Sequence, residues 1–168
     1  MARALITLTL LLALATPAMA ADWGAINPGA STTQEVRDRY GSPSSEKQVK
    51  VDGYDTQEWV YEGDKAPGGL IRMTVEFGLL TPSGYKVSVV RILKLEPQPN
   101  IFLRTTVVQG WGIPDSVGTQ DGLVTAFYRE GLFVLFDKDG EDARMMIFSI
   151  PQPETPSPTA PSAPAPKK

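Results

Sequence analysis

One short pattern occurs twice in this sequence: an aromatic residue, a glycine, any residue and a proline. The first copy is Tyr40-Gly41-Ser42-Pro43 and the second is Trp111-Gly112-Ile113-Pro114. Stretches rich in β-branched and aromatic residues, which are typical of strands, follow each copy. The two copies begin 71 residues apart. Because recurrence at such a spacing indicates two copies of one supersecondary unit, we expect an α+β fold of two tandem units. Each unit would be a short helix followed by a three- to four-stranded antiparallel sheet, the first over 26–96 and the second, degenerate one over 97–150.

The start of the first helix is encoded more strongly than that of the second. Thr32-Thr33-Gln34-Glu35 has the form of a capping box, in which the threonine hydroxyl and the glutamate each bind the other residue's backbone amide. Gly41 and Pro43 then favour a helix end. The corresponding segment 103–110 contains β-branched residues, a glycine and no clear capping box, so the sequence predicts at most a weakly encoded helix there.

The first twenty residues have the three parts of a secretory signal peptide. Arg3 precedes an apolar run over 5–15, and Ala18-Met19-Ala20 provides the small residues that signal peptidase requires. We therefore expect cleavage after Ala20 and a mature protein in the periplasm or outside the cell. The apolar run is shorter than the about 20 residues that span a bilayer, so we expect no transmembrane segment.

The other end of the chain changes composition at Pro151. Proline lacks a backbone N–H and has a fixed φ, so a segment this rich in proline neither joins a sheet nor packs as a helix. We expect 151–168 to be a Pro-rich disordered tail. It is either a spacer or a segment whose terminal Lys167 and Lys168 contact an anionic wall polymer.

Charge and residue content exclude several classes of function. The formal net charge is −3, and no basic cluster stands out that could bind nucleic acid. The chain contains no histidine and no cysteine, which removes the usual general base, the commonest metal ligand and the thiol nucleophile. We therefore expect no enzyme activity, no cofactor and no metal site. The acidic stretch Asp137–Asp142 lacks the spacing of a calcium loop and is interpreted as a hairpin turn.

Carboxylates are the groups that remain for catalysis. A hydrolase that uses a pair of carboxylates, with Glu58 or Glu62 as one member, is therefore the alternative. Its substrate would be cell-wall glycan.

A set of structural residues in the first half resembles a known family. The residues are Ile26, Gly29, Thr32, Glu35, Val36, Tyr40-Gly41, Pro43, Trp59-Val60-Tyr61, Val75 and Phe77. They resemble the SmpA/OmlA family, the BamE-type outer-membrane assembly lipoprotein domain, and two such units resemble the arrangement of β-lactamase inhibitor protein. The resemblance implies a module that binds other proteins without chemistry. Family lipoproteins carry a cysteine at the cleavage site, whereas this chain has Ala21, so we expect no lipid anchor.

Strand alternation in the second half predicts where a partner binds. In the first half, alternation places Trp59, Tyr61, Met73, Val75 and Phe77 inward, and it places the polar residues Arg72, Thr74, Glu76, Lys86 and Ser88 on a solvated opposite face. In the second half, one face should likewise pack under the helix: Ala126, Tyr128, Leu132, Val134 and Phe136. The opposite face is apolar as well, through Phe127, Phe133, Leu135, Met146, Phe148 and Ile150. A half-solvated antiparallel sheet should instead alternate with polar residues. Either the rest of the chain covers this face, or the face binds a partner. The partner would be an envelope protein of unknown identity or a second copy of the chain.

These observations together favour one function. We expect an exported, non-catalytic protein-binding module of the bacterial envelope, either assembly factor-like or inhibitor-like.

Overall fold

The computed structural model describes residues 21–152. The expected signal peptide, 1–20, and most of the expected tail, 153–168, lie outside the described residues. No helix within 21–152 is both long enough and apolar enough to cross a membrane.

Two short helices and eight strands make up the described chain. The helices are α1 (Thr33–Tyr40) and α2 (Arg104–Trp111), and a single 3-10 turn covers Gly63–Lys65. The strands are β1 (Ser45–Val51), β2 (Tyr54–Glu62), β3 (Leu70–Thr81), β4 (Gly84–Pro97), β5 (Ser116–Gln120), β6 (Leu123–Tyr128), β7 (Leu132–Phe136) and β8 (Ala143–Ser149).

All eight strands form one antiparallel sheet in the order β1-β2-β3-β4-β8-β7-β6-β5. The centre of the sheet is the pairing of β4 with β8, from Ile92 opposite Ser149 to Leu95 opposite Met146. The predicted fold of two tandem helix-and-sheet units is therefore wrong, because the sheet is continuous across the expected boundary. In two separate sheets, β4 and β8 would both be edge strands with unpaired backbone groups, and pairing them satisfies those groups.

The hydrophobic core lies on one face of this sheet, under both helices. Val36 of α1 and Val107 of α2 are fully buried in it. The sheet contributes the residues that alternation had placed inward, and their predicted burial is confirmed: Trp59, Tyr61, Met73, Val75, Phe77, Ala126, Tyr128, Leu132, Val134 and Phe136. The side chains that point away from this core form the other face, here called the open face.

The two helices begin in different ways. At α1 the predicted capping box is present, with the Thr32 amide donating to Glu35 Oε2 at 2.6 Å and the Glu35 amide donating to Thr32 Oγ1 at 3.4 Å. At α2 the N-cap residue Leu103 supplies no side-chain bond. The Arg104 amide instead donates to the carbonyl of Glu141 at 2.7 Å. A distant loop thus satisfies a helix end that the local sequence leaves uncapped.

The acidic stretch is the turn between β7 and β8, as predicted. Asp137 Oδ1 accepts hydrogen bonds from the amides of Glu141 at 3.0 Å and Asp142 at 3.4 Å. The bond from Glu141, followed by that from Asp142, lowers the pKa of the Asp137 carboxyl. The carboxylate therefore organises its own loop. Within 21–152 no group of three or more acidic side chains is placed to hold a metal ion.

Candidate partner-binding face

A contiguous group of apolar side chains lies on the open face at the β6–β8 end of the sheet. Each member is partly exposed, and we call the group the apolar patch: Phe127, Phe133, Leu135, Met145 and Ile147. Strand register brings them together, since Phe133 lies opposite both Phe127 on β6 and Ile147 on β8. Both helices bury their valines in the core of the other face, so neither covers the patch.

The structure assigns the predicted partner-binding residues to two different faces. Phe127, Phe133 and Leu135 belong to the apolar patch. Met146 and Phe148 are fully buried in the core, because they lie opposite Val134 and Leu132 and share the inward direction of those residues. Their predicted placement on the outer face is therefore wrong. Ile150, which follows β8, is 38% exposed.

Met146 and Phe148 were assigned to the wrong face because the phase of β8, that is, which of its alternate residues face the core, is ambiguous in the sequence. Four consecutive residues, 145–148, are apolar, and such a run does not show which alternate pair faces inward. A register shift between Leu135 and Phe136 sets the phase in the folded chain. A one-residue change in register exchanges the two faces of a strand. Met145 and Ile147 were missed for this reason, and no local signal distinguishes them from their neighbours.

The rest of the open face, over β2–β4, carries charged side chains in ion pairs. Arg72 binds Glu62 Oε2 through Nε at 3.0 Å and Nη2 at 2.9 Å, and it binds Glu96 at 3.3 Å. The hydrogen bond to Glu62, followed by the charge of Glu96, raises the pKa of the Arg72 guanidinium. The sequence had already predicted a polar face in this half.

A second ion-pair group borders the apolar patch. Glu76 accepts from Arg91 at 2.6 Å through Oε2 and from Lys94 at 2.5 Å through Oε1. The Glu76 side chain is only 14% exposed, and Lys94 lies opposite Ile147 of the patch. Two cations share one carboxylate here, and Glu58 lies opposite that carboxylate on the neighbouring strand, so both signs of charge occur at the border of the patch.

The two carboxylates considered for a hydrolase also lie on the open face. Glu58 and Glu62 line a shallow depression of about 380 Å³. They are four residues apart on β2, which corresponds to roughly 13 Å at 3.3 Å per residue, more than the roughly 5–9.5 Å between the catalytic carboxyls of most glycosidases. Glu58 lies opposite Glu76 on β3, and cations occupy both oxygens of Glu76. Hydrolysis of wall glycan stays a prediction.

Comparison with known proteins gives one structural match. No protein-family model and no curated protein matches this sequence. A solved structure that is similar is that of a DUF4309 family protein (YjgB) from Bacillus subtilis subsp. subtilis str. 168. The match has a TM-score of 0.47 and 12% sequence identity, and it covers 76% of this chain and 83% of the other.

The expected relationship to the SmpA/OmlA (BamE-type) family is therefore wrong. No family model matches the chain, and that includes the model of this family. The comparison with the tandem arrangement of β-lactamase inhibitor protein falls with it, since the strands form one sheet. The residues that suggested the family are helix caps, turn glycines and core aromatics, which unrelated α+β folds use for the same local reasons.

Proposed function

We propose that this chain is a protein-binding module of the bacterial envelope that binds its partner through the open face of the sheet. The observation that supports the proposal is the apolar patch, in which two phenylalanines, a leucine, a methionine and an isoleucine adjoin on a face without a helix. Contiguous apolar surface on a folded chain is typical of interaction sites, and aromatic residues and methionine are enriched in their centres.

The charges at the border of the patch specify the chemistry of the partner. Lys94 lies opposite Ile147 of the patch, and it shares the carboxylate of Glu76 with Arg91. A partner with an apolar centre and an acidic side chain facing Lys94 would complement both features. The partner we propose is therefore an envelope protein with an acidic rim rather than a nucleic acid or a glycan.

The proposed setting is the periplasm or the cell exterior, because the segment 1–20 has the pattern of a signal peptide. Binding without catalysis is part of the proposal. An assembly factor-like role and an inhibitor-like role both use such a surface, and they differ in whether the partner is helped or blocked.

Site-specific photo-crosslinking in cells tests the proposal. A photoreactive phenylalanine analogue is placed at Phe133, at Ile147 and, as the matched control, at Val60. Val60 is also a partly exposed apolar residue of the open face, but it lies in the polar half. We expect positions 133 and 147 to crosslink to the same envelope protein, and position 60 to give at most a tenth of that yield.

Two results would overturn the proposal. Equal yields at all three positions would show that the patch has no special role. Crosslinks at 133 and 147 that contain only a second copy of this chain would make the patch a homodimer contact. Replacing Phe133 with serine should also abolish binding to the identified partner in purified form, while the circular dichroism spectrum stays unchanged.

A further inference from the structure

The two outer strands of the sheet, β1 and β5, lie in comparable surroundings. At the β1 end, Tyr61 Oη donates to the carbonyl of Gly41, which ends α1, at 3.1 Å. At the β5 end, Tyr128 Oη donates to the carbonyl of Gly112, which ends α2, at 3.2 Å. Tyr61 therefore corresponds to Tyr128 and Gly41 to Gly112, and these two pairs define corresponding positions at the two ends of the sheet.

At the β1 end, large and charged side chains fill the space between helix and strands. Arg37 Nη2 donates to Glu46 Oε1 at 2.8 Å. The guanidinium lies 4.6 Å from the ring centroid of Trp59, a cation–π contact. Glu46 and Trp59 are opposite each other in the β1–β2 pair. The arrangement closes this end with a salt bridge over an indole ring.

At the β5 end, the corresponding residues are Val108, Val117 and Ala126. Val108 precedes its glycine by four residues as Arg37 does, and Val117 lies opposite Ala126 as Glu46 lies opposite Trp59. The smaller side chains leave a narrow apolar groove beside α2, and its lining includes Arg104, Val108, Val117, Ala126 and Tyr128. Its free volume is about 10 Å³, close to the space of one water molecule, so it admits only a small apolar group.

The strand beside this groove has an unprotected edge. All five residues of β5 are exposed and none is charged, whereas β1 carries Glu46, Lys47 and Lys50. Charged side chains on an edge strand discourage pairing with other chains. The turn between β5 and β6 has two residues, so Gln120 and Leu123 form a hydrogen-bonded pair and the backbone groups of Val117 and Thr119 point outward.

One charged residue lines the groove. Arg104 is exposed and makes no salt bridge within 21–152. Its positive charge also lowers the pKa of Tyr128, against the larger effect of burial, which raises that pKa. The guanidinium therefore lies within electrostatic range of a groove that is otherwise lined by apolar side chains and one tyrosine. A carboxylate on an incoming chain would give the guanidinium a direct salt bridge.

We propose that β5 receives an extended segment of another protein, which adds to the sheet as a ninth strand. The outward backbone groups of Val117 and Thr119 would bind the segment's main chain, the groove would take a small side chain such as alanine, and Arg104 would bind an acidic group. The segment of another protein is favoured over a second β5. Antiparallel pairing of two β5 strands centred on Gly118 would place Asp115 of one copy opposite Asp121 of the other at both ends, and like charges directly opposite are destabilising.

A selection from random heptapeptides with free C-termini, displayed against the immobilised full chain, tests this inference. We expect enriched peptides to have small apolar residues at alternate positions and at least one carboxylate. The decisive variant is Thr119→Pro, which removes an outward N–H from an edge strand and leaves the bonds to β6 intact. The matched control is Lys50→Pro on β1, because Lys50 occupies the same place next to its own two-residue turn.

Enriched peptides should bind Thr119→Pro at least tenfold more weakly and Lys50→Pro within twofold of the unsubstituted chain. Arg104→Gln should weaken the binding of acidic peptides by about fivefold, as expected for an exposed ion pair. It should not affect the binding of the same peptides in which the carboxylate is replaced by an amide.

If Thr119→Pro does not fold, Val117→Lys replaces it, since a lysine would block the mouth of the groove. No enriched peptide family, or equal binding to Thr119→Pro, would overturn the inference, and so would dimerisation of the chain that Thr119→Pro abolishes. The inference does not rest on the apolar patch, so Phe133→Ser should leave peptide binding unchanged.

Discussion

The hydroxyl of Tyr128 donates a 3.2 Å hydrogen bond to the carbonyl oxygen of Gly112, and this bond ties β6 to the end of α2. Gly112 has a positive φ of 82°, and the carbonyl that it presents lies where the helix has no further amide to offer. Tyr61 and Gly41 have the same relationship at α1. Each helix is thus attached to the sheet at its C-terminal end by a tyrosine from the strand next to the edge.

Replacing Tyr128 with phenylalanine should lower the free energy of unfolding by about 1 kcal/mol, because the Gly112 carbonyl loses its donor while the ring stays packed. Urea unfolding measures this loss. α2 also lacks a side-chain N-cap, so amide exchange should accelerate in α2 more than in α1. Tyr61→Phe is the control, and it should accelerate exchange in α1 instead.

Phe148 and Phe133 should differ sharply in their effect on stability. Phe148 is fully buried, and its replacement by serine should cost about 4 kcal/mol through lost packing. Phe133 belongs to the partly exposed patch, so Phe133→Ser should cost about 1 kcal/mol. Thermal unfolding of the two purified variants provides the comparison. Equal losses would mean that β8 does not have the register described above.

Glu76 should contribute more to stability than Glu62. Glu76→Gln leaves Arg91 and Lys94 adjacent without their shared carboxylate in a partly buried site, which should cost about 2 kcal/mol. Glu62 is 48% exposed, and Glu62→Gln should cost less than about 1 kcal/mol. Denaturant unfolding at low and high salt distinguishes the two stability losses, since screening by salt should reduce the loss in Glu62→Gln more than the loss in Glu76→Gln.

The protein should lose stability in alkali, in part through Tyr61. Burial raises the pKa of Tyr61 to about 12, above the value of about 10 for an unfolded tyrosine. The folded state therefore holds the Tyr61 proton more tightly than the unfolded state does. The resulting contribution to the free energy of unfolding is complete below about pH 10 and is lost as the pH rises towards 12. Unfolding measured between pH 8 and 12 should show a smaller decline for Tyr61→Phe. Burial also raises the pKa of Tyr40 and Tyr128, so part of the decline should remain in that variant.

Features that depend on neighbouring residues in the sequence were predictable. The capping box of α1, the acidic turn Asp137–Asp142 and the inward faces of β2, β3, β6 and β7 follow from hydrogen bonds or alternation within a few residues. Phe127, Phe133 and Leu135 were placed correctly on the outer face for the same reason. In each case one local arrangement is much lower in free energy than its alternatives.

Only the tertiary structure decided the remaining features, because they depend on segments far apart in the chain. The continuous sheet results from the pairing of β4 with β8, and nothing in either strand alone identifies the other as its neighbour. The phase of β8 depends on its register with β7, since its apolar residues suit either face. α2 begins where the Glu141 carbonyl accepts from Arg104. The sequence by itself therefore determined local structure and most inward faces, whereas long-range strand pairing determined which apolar side chains remain on the surface.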